Sequence, residues 1–220
     1  MRVLDETLKE LATLAKTHRR CIVGVSGGKD SLACLSLAKQ CFAEVVGFHM
    51  EFVPDLECIE DDLRVCRDLW GIEIRKYVHW EFAQAISQGT YKWDADALKI
   101  TPWTLADVFR LVLRDTGIWP ILWGAKLADS AYRRRTLNRA QYDGVFFPLK
   151  KWSKFEVLAL LKSRDIPIPD QIAAAGGGID LSTPSLLYLH DNHPRDFERL
   201  ERFFPFARSV VKRREFFGER

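Results

Sequence analysis

The chain has 220 residues, 47% of them hydrophobic, which is enough apolar material to bury one full core. Its 33 basic and 30 acidic residues give a net charge of only +3, so composition alone does not indicate binding to nucleic acid or membranes. No apolar run approaches the roughly 18 residues of a membrane-spanning helix, and residues 1–16 lack the apolar core of a signal peptide.

The five cysteines favour a reducing compartment. Their number is odd, and they form neither a CxxC pair nor a spacing typical of a zinc site. We therefore expect a soluble, cytoplasmic protein, and the sequence leaves open whether it forms a homo-oligomer.

The first third of the chain alternates strands and helices. The predicted elements are a helix over 3–17, a strand over 21–25, a helix over 30–41, a strand over 44–50, a helix over 59–70 and a strand over 72–78. This order predicts a parallel sheet with right-handed crossovers, in which ligands bind at the carboxyl ends of the strands.

A glycine loop, Ser-Gly-Gly-Lys-Asp-Ser at 26–31, joins the first strand to its helix. The two glycines allow a sharp turn and a close approach to a ligand, so that backbone N–H groups point outward. The helix N-terminus and Lys29 add positive charge, and the two serines offer hydroxyls to phosphate oxygens or hydrated Mg²⁺. The pattern predicts a phosphate-binding loop, but not a Walker A loop, because Asp30 separates the lysine from the serine.

Two other strand ends carry candidate ligand contacts. His49 and Met50 close the second strand beside the loop, where related sheets hold adenine or ribose. The alternative for His49 is a structural one, with the imidazole capping a backbone carbonyl. His79 and Trp80 at the end of the third strand face the same choice, and Trp80 could stack on a base.

The middle of the chain contains a cationic segment after another predicted strand. Residues 82–100 show no clear pattern, a helix is predicted over 104–116 and a strand over 118–124. Asp129, Ser130 and three arginines at 133–135 follow that strand. Guanidinium groups suit phosphate or sulfate oxygens, so the pattern favours an anion site over a merely solvated face.

The last third predicts one more strand and several helices. A strand is expected over 144–149 and a helix over 154–163, with Ser153 and Glu156 forming a capping box. Residues 173–178 are predicted to form a flexible, glycine-rich hinge, followed by two short helices with a basic end at 208–214. Both a solvated terminal helix and nucleic-acid contact would explain that end.

These motifs together resemble a known superfamily. The loop at 26–31 resembles the SGGxDS signature of the PP-loop ATP pyrophosphatases. From Gly124 the chain reads Gly-Ala-x-x-Ala-Asp-Ser-x-x-Arg-Arg, followed by Phe-Pro-Leu-x-x-Trp-Ser, a helix and Ile-Pro-Ile-Pro. This order resembles the phosphoadenosine phosphosulfate (PAPS) reductase and ATP sulfurylase small-subunit branch, over roughly residues 20–170.

The resemblance implies a site for ATP and Mg²⁺. The residues that would bind the terminal phosphates are Ser26, Gly27, Gly28, Lys29, Asp30 and Ser31. The resemblance further implies that Gly124 and Asp129 border the nucleotide, that Asp129, Arg133 and Arg134 line the substrate side, and that Asp30 holds the metal. Lys29, Asp30, Arg133 and Arg134 are the catalytic candidates.

Two departures from the reductases matter for the reaction. The loop keeps the full Ser-Gly-Gly-Lys-Asp-Ser of ATP-using members, and no cysteine follows Cys66, whereas the reductases carry a nucleophilic cysteine near their C-terminus. We therefore expect an acceptor to attack the α-phosphorus of ATP, releasing pyrophosphate. The alternatives are a PAPS-reductase-like protein, a nucleotide-binding module without turnover, and an accessory protein for nucleic-acid modification.

The predicted architecture is a doubly wound α/β domain. It has a mainly parallel five-stranded sheet with helices on both faces and a small helical C-terminal appendage. We expect the nucleotide-binding domain to span 1–172, and the hinge and a helical lid to span 173–220.

Overall fold

The computed structural model describes residues 2–139, 142–168 and 179–218. The helices are α1 (Arg2–Thr17), α2 (Lys29–Cys41), α3 (Glu57–Trp70), α4 (Trp80–Ser87), α5 (Leu105–Thr116), α6 (Ala131–Arg139), α7 (Lys154–Ser163), α8 (Thr183–Asn192), α9 (Pro194–Phe203) and α10 (Arg208–Phe217). The strands are β1 (Arg20–Gly24), β2 (Glu44–Glu51), β3 (Ile74–Val78), β4 (Ile121–Leu122) and β5 (Val145–Phe146). No helix of the described residues is long and apolar enough to cross a membrane.

The five strands form one sheet in the order β3-β2-β1-β4-β5. Strand β1 pairs in parallel with β2 and β4, and β4 pairs in parallel with β5. Ile22 at the centre of β1 lies opposite Val46 on one side and Ile121 on the other. The predicted doubly wound α/β fold is confirmed, and the loops after β1 and β4 leave the same edge of the sheet.

Most predicted elements are present, with changes at their ends. The fourth and fifth strands have two residues each, and Pro120, which lacks an N–H, directly precedes β4. The segment left unassigned at 82–100 lies partly in α4, which already begins at Trp80, so Trp80 does not end a strand. Over residues 179–218, the described part of the C-terminal tail has three α-helices instead of two, since α10 follows the expected pair.

The chain divides into two compact units that interleave along the sequence. The first contains 1–49, 63–76 and 109–168, and the second contains 50–62, 77–108 and 169–220. The C-terminal helices thus share their unit with two earlier segments of the chain. The predicted boundary at 172/173 and the glycine-rich hinge lie outside the described residues.

The second unit has its own aromatic core. Buried residues from all three of its segments contribute, among them Phe52, Val53, Ile86, Leu186, Leu189, Phe197, Leu200, Phe204 and Val211. Asp196 of α9 is 2% exposed, and its two carboxylate oxygens accept the backbone N–H groups of Glu57 (2.7 Å) and Cys58 (2.9 Å). Asp196 therefore caps the N-terminus of α3 from about 140 residues further along the chain.

Two arginines at the basic C-terminal end form ion pairs with carboxylates. Arg214 donates two hydrogen bonds to Asp191, at 2.5 and 2.6 Å, and Arg208 binds both oxygens of Glu201. The Arg214 bonds, with help from His190, hold the pKa of the Asp191 carboxyl well below its usual range.

In the first unit, a buried tryptophan is fixed by a threonine of α1. The indole N–H of Trp152 donates to the Thr7 hydroxyl at 3.0 Å, and Thr7 in turn donates to the carbonyl of Val3. Trp152 is 1% exposed and Thr7 is 5% exposed. The next residue, Ser153, forms the predicted capping box with Glu156 at the start of α7.

We predict that Thr7→Val lowers the free energy of unfolding by about 1–3 kcal/mol, because it leaves the buried indole N–H without an acceptor. Urea denaturation measures the change. The matched control is Thr13→Val, since Thr13 also donates to the carbonyl four residues earlier in α1 but is exposed. Equal losses in the two variants would contradict the role given to the Trp152 hydrogen bond.

Candidate nucleotide-binding site

The glycine loop has the conformation that its sequence predicts. Gly27 has a φ of +72°, in the left-handed region where a side chain is strained. Gly28 is the N-cap residue of α2, with φ −68° and ψ 153°, and no side chain of the described residues caps this helix end. The first N–H groups of α2 therefore keep their capacity to bind an anion.

Ser31 organises the loop from inside. Its hydroxyl donates to the carbonyl of Gly28 at 2.8 Å and accepts the backbone N–H of Ser26 at 3.2 Å. The side chain is buried, whereas Ser26 is exposed. Of the two serines proposed as phosphate contacts, Ser26 is the accessible one, and Ser31 fixes the turn.

Lys29 and Asp30 are paired with each other at the start of α2. Lys29 Nζ lies 3.1 Å from Asp30 Oδ2, and each side chain is 25% exposed. The sequence predicted both as site residues, and the structure brings them together. A carboxylate in the first turn also suits the positive end of the helix dipole.

A second lysine, which the sequence analysis did not select, completes the site. Lys126 follows β4 and is 1% exposed, which places it among the largest fully buried side chains. Its ammonium lies 2.6 Å from Asp30 Oδ1 and 2.8 Å from Asp129 Oδ1. These contacts are ion pairs. Neither Lys126 Nζ nor Asp30 Oδ1 has a hydrogen-bond partner among the described residues.

Asp129 holds this lysine at two points. Besides the ion pair, its Oδ2 accepts the backbone N–H of Lys126 at 3.0 Å. The predicted site residues Asp30 and Asp129 are thus brought together through Lys126. The sequence signal that could have identified Lys126 is its position shortly after a buried strand, in the same loop as Asp129.

Gly124 allows the end of β4 to approach the loop. A Cβ atom at this position would lie 3.0 Å from the carbonyl oxygen of Asp30 and 3.1 Å from its carbonyl carbon. The backbone of the first turn of α2 therefore lies against Gly124. This contact explains why the position needs a glycine in the arrangement observed.

The predicted arginines lie on α6. The backbone N–H of Arg133 donates to the Ser130 hydroxyl at 3.0 Å, so Ser130 satisfies one donor at the start of this helix. Arg133 is half-buried, and Arg134 and Arg135 are exposed. None of the three side chains forms an ion pair with another described residue, so they keep their charge available for an anion.

The His49 imidazole contacts the backbone at the end of the strand before the loop. It is 6% exposed, and its Nδ1 lies 2.7 Å from the carbonyl oxygen of Val25. The carbonyl-capping alternative is therefore present in the structure, and Met50 beside it is half-buried. Contact of either residue with a nucleotide stays a prediction.

Four of the five cysteines, Cys21, Cys34, Cys41 and Cys58, lie in surroundings that disfavour thiolates. Burial raises the pKa of Cys34 to about 12 and raises the pKa of Cys21 further. Cys58 lies in the first turn of α3 instead of the predicted loop, and burial and the Asp196 carboxylate both raise its pKa. Cys58, His193 and Asp196 form a cluster with the chemistry of metal ligands, but both Asp196 oxygens already cap α3.

Residues 20–175 match the family described as phosphoadenosine phosphosulfate reductase domain. The chain belongs to this family. Among the curated proteins, none matches the chain. The family assignment confirms the resemblance recognised in the loop at 26–31 and in the segment that begins at Gly124.

Two solved structures share the fold of this PAPS reductase domain protein. An NH3-dependent NAD synthetase from Campylobacter jejuni, in complex with a nitrate ion, aligns with a TM-score of 0.53 and 15% identity over 100% of this chain and 96% of its own. A glutamine-dependent NAD⁺ synthetase from Acinetobacter baumannii, in complex with ADP, aligns with a TM-score of 0.54 and 16% identity over 96% of this chain and 43% of its own. At such identities the likeness shows a common fold.

We predict that Gly124→Ala lowers the free energy of unfolding by about 1–3 kcal/mol, the range for overpacking, because the new methyl group must push the first turn of α2 away. Gly124→Val should cost more, since two further methyl groups meet the same backbone. Urea denaturation of both variants gives the series. A Gly124→Ala variant as stable as the parent would show that the loop is not held against β4.

Proposed function

We propose that this PAPS reductase family protein binds ATP with Mg²⁺ and cleaves it between the α- and β-phosphates, transferring AMP to an acceptor. The observation that carries the proposal is the loop at 26–31, whose uncapped helix N-terminus and Lys29 are available to a pyrophosphate group. An anion held there is the leaving group, and the α-phosphorus then remains open to attack.

The residues present fit this chemistry. Backbone N–H groups, Ser26 and Lys29 would stabilise the negative charge that grows on the pyrophosphate as the bond breaks. A Mg²⁺ ion prefers carboxylate and phosphate oxygens, and Asp30 Oδ2, the oxygen that does not face Lys126, is the candidate protein ligand. Such a cation would neutralise charge between the phosphates. Positioning and charge stabilisation would supply most of the rate enhancement.

The experiment uses ATP labelled at either the α- or the γ-phosphate, incubated with the protein, Mg²⁺ and candidate acceptors, including sulfate and tRNA. We expect labelled AMP or an AMP-linked acceptor from the first label and intact pyrophosphate from the second, separated by chromatography. ADP and free phosphate as primary products would contradict the proposal.

Lys29→Ala should lower turnover by about 10²–10³, because it removes one preorganised cation at the leaving group. Single-turnover product formation measures the effect. The control is Lys39→Ala, which removes an exposed lysine in the last turn of the same helix. If Lys29→Ala reacts as fast as the control, the loop does not hold the leaving group.

The arginines of α6 are proposed to hold the acceptor or the α-phosphate. Arg133→Ala or Arg134→Ala should weaken binding of the anionic substrate by about 1.5–3 kcal/mol, and lysine at the same position should restore it in part. Titration calorimetry provides the affinities. Arg114→Ala, which removes an exposed arginine of α5, is the control. If both α6 variants bind the substrate as tightly as the parent, these arginines do not contact the substrate and are part of a solvated surface.

A second candidate function is binding of a sulfonucleotide without its reduction. The family match favours it, because it names a phosphosulfate substrate, and the raised thiol pKa of Cys34 argues against thiol chemistry at that residue. Titration with PAPS beside ATP separates the two. Tighter binding of PAPS without any cleavage of ATP would favour the second function.

A further inference from the structure

Lys126 differs from an ordinary surface lysine in both burial and partners. It is 1% exposed, and its ammonium faces two carboxylates, Asp30 on α2 and Asp129 on the loop after β4. Burying an ammonium costs several kcal/mol unless paired charges compensate for the lost water.

The four charges of this cluster balance. Lys29 and Lys126 are cationic, and Asp30 and Asp129 are anionic. The two oxygens of Asp30 are shared between the lysines, with Oδ1 at 2.6 Å from Lys126 and Oδ2 at 3.1 Å from Lys29. Asp30 is therefore neutralised from two sides, once by a buried cation and once by a cation that solvent can reach.

The two lysines differ in their freedom to move. Lys126 is enclosed and tied to Asp129 through both its ammonium and its backbone N–H. The Lys29 side chain is 25% exposed, and its ion-pair partner among the described residues is its neighbour Asp30. An anion at the start of α2 can draw Lys29 away from Asp30, and the carboxylate then still has Lys126 as a counter-ion.

We propose that Lys126 is a positioning residue of the nucleotide site: it keeps Asp30 neutralised and in place, which frees Lys29 to bind phosphate. This inference rests on the proposed function, since it assumes that Lys29 contacts the pyrophosphate part of ATP. Without Lys126, Asp30 keeps Lys29 as its one remaining cationic partner in the cluster. In the absence of Mg²⁺, Lys29 then binds phosphate only by leaving a carboxylate uncompensated.

The test measures binding of ATP and of free pyrophosphate by titration calorimetry, in four proteins: the parent, Lys126→Met, Lys29→Ala and the double variant. Each single variant should bind about 10-fold to 100-fold more weakly, as expected when one charge-assisted contact is lost. In the double variant the losses should not add, because Lys29 is already held by Asp30 when Lys126 is absent. Additive losses would overturn the inference.

The controls separate positioning from a general loss of structure. Lys151→Met removes an exposed lysine and should bind like the parent. If Lys126→Met does not fold, Asp129→Asn replaces it, since this change loosens Lys126 without leaving its ammonium unpaired. Asp129→Asn should weaken binding several-fold, and the effect of Lys29→Ala should be smaller in that background than in the parent. An undiminished effect of Lys29→Ala there would also overturn the inference.

Because the readout is binding, the inference and the proposed function can fail separately. A parent protein that binds ATP without cleaving it between the α- and β-phosphates refutes the function, and the variant cycle still decides the role of Lys126. A parent that binds neither ATP nor pyrophosphate refutes both.

Discussion

The site depends on one buried ion pair, between Lys126 after β4 and Asp30 in the first turn of α2. The two segments reach the same sheet edge because β1 and β4 are adjacent and parallel. Gly124 lets their backbones touch, and the lysine then links them by charge. A pair of this kind contributes little net stability, because desolvation offsets most of the attraction. Its value is geometric, since it fixes where the first turn of α2 lies.

For the proposed function, this arrangement would divide phosphate binding among groups of different exposure. The course of the turn is set by Gly27 and by the buried Ser31 hydroxyl. Around it, Lys29 and Arg133 are partly exposed, and Arg134 and Arg135 are exposed. Backbone donors surrounded by accessible charges would suit the proposed reaction, in which negative charge moves between phosphate oxygens.

The sequence predicted the elements whose patterns are local. Strands β1 and β2 are nearly continuous apolar runs. The two adjacent glycines between β1 and α2 indicate a sharp turn at that point. Helix α4 was missed because its N-cap residue is His79, whose imidazole accepts the N–H of Glu81 in place of a common capping residue. Lys126 was missed because a lysine is normally exposed. Only the tertiary position of Asp30 and Asp129 makes its burial favourable.

The cap that Asp196 places on α3 has a consequence for how the protein is made. Glu57 and Cys58 leave the ribosome long before Asp196 does, so the first turn of α3 has no acceptor for these N–H groups while the middle of the chain is being synthesised. The core that contains Phe52 and Ile86 likewise draws many of its buried residues from the C-terminal helices. Contacts of such high sequence separation form late and slowly. The second unit therefore cannot complete its core before the C-terminal helices have been synthesised.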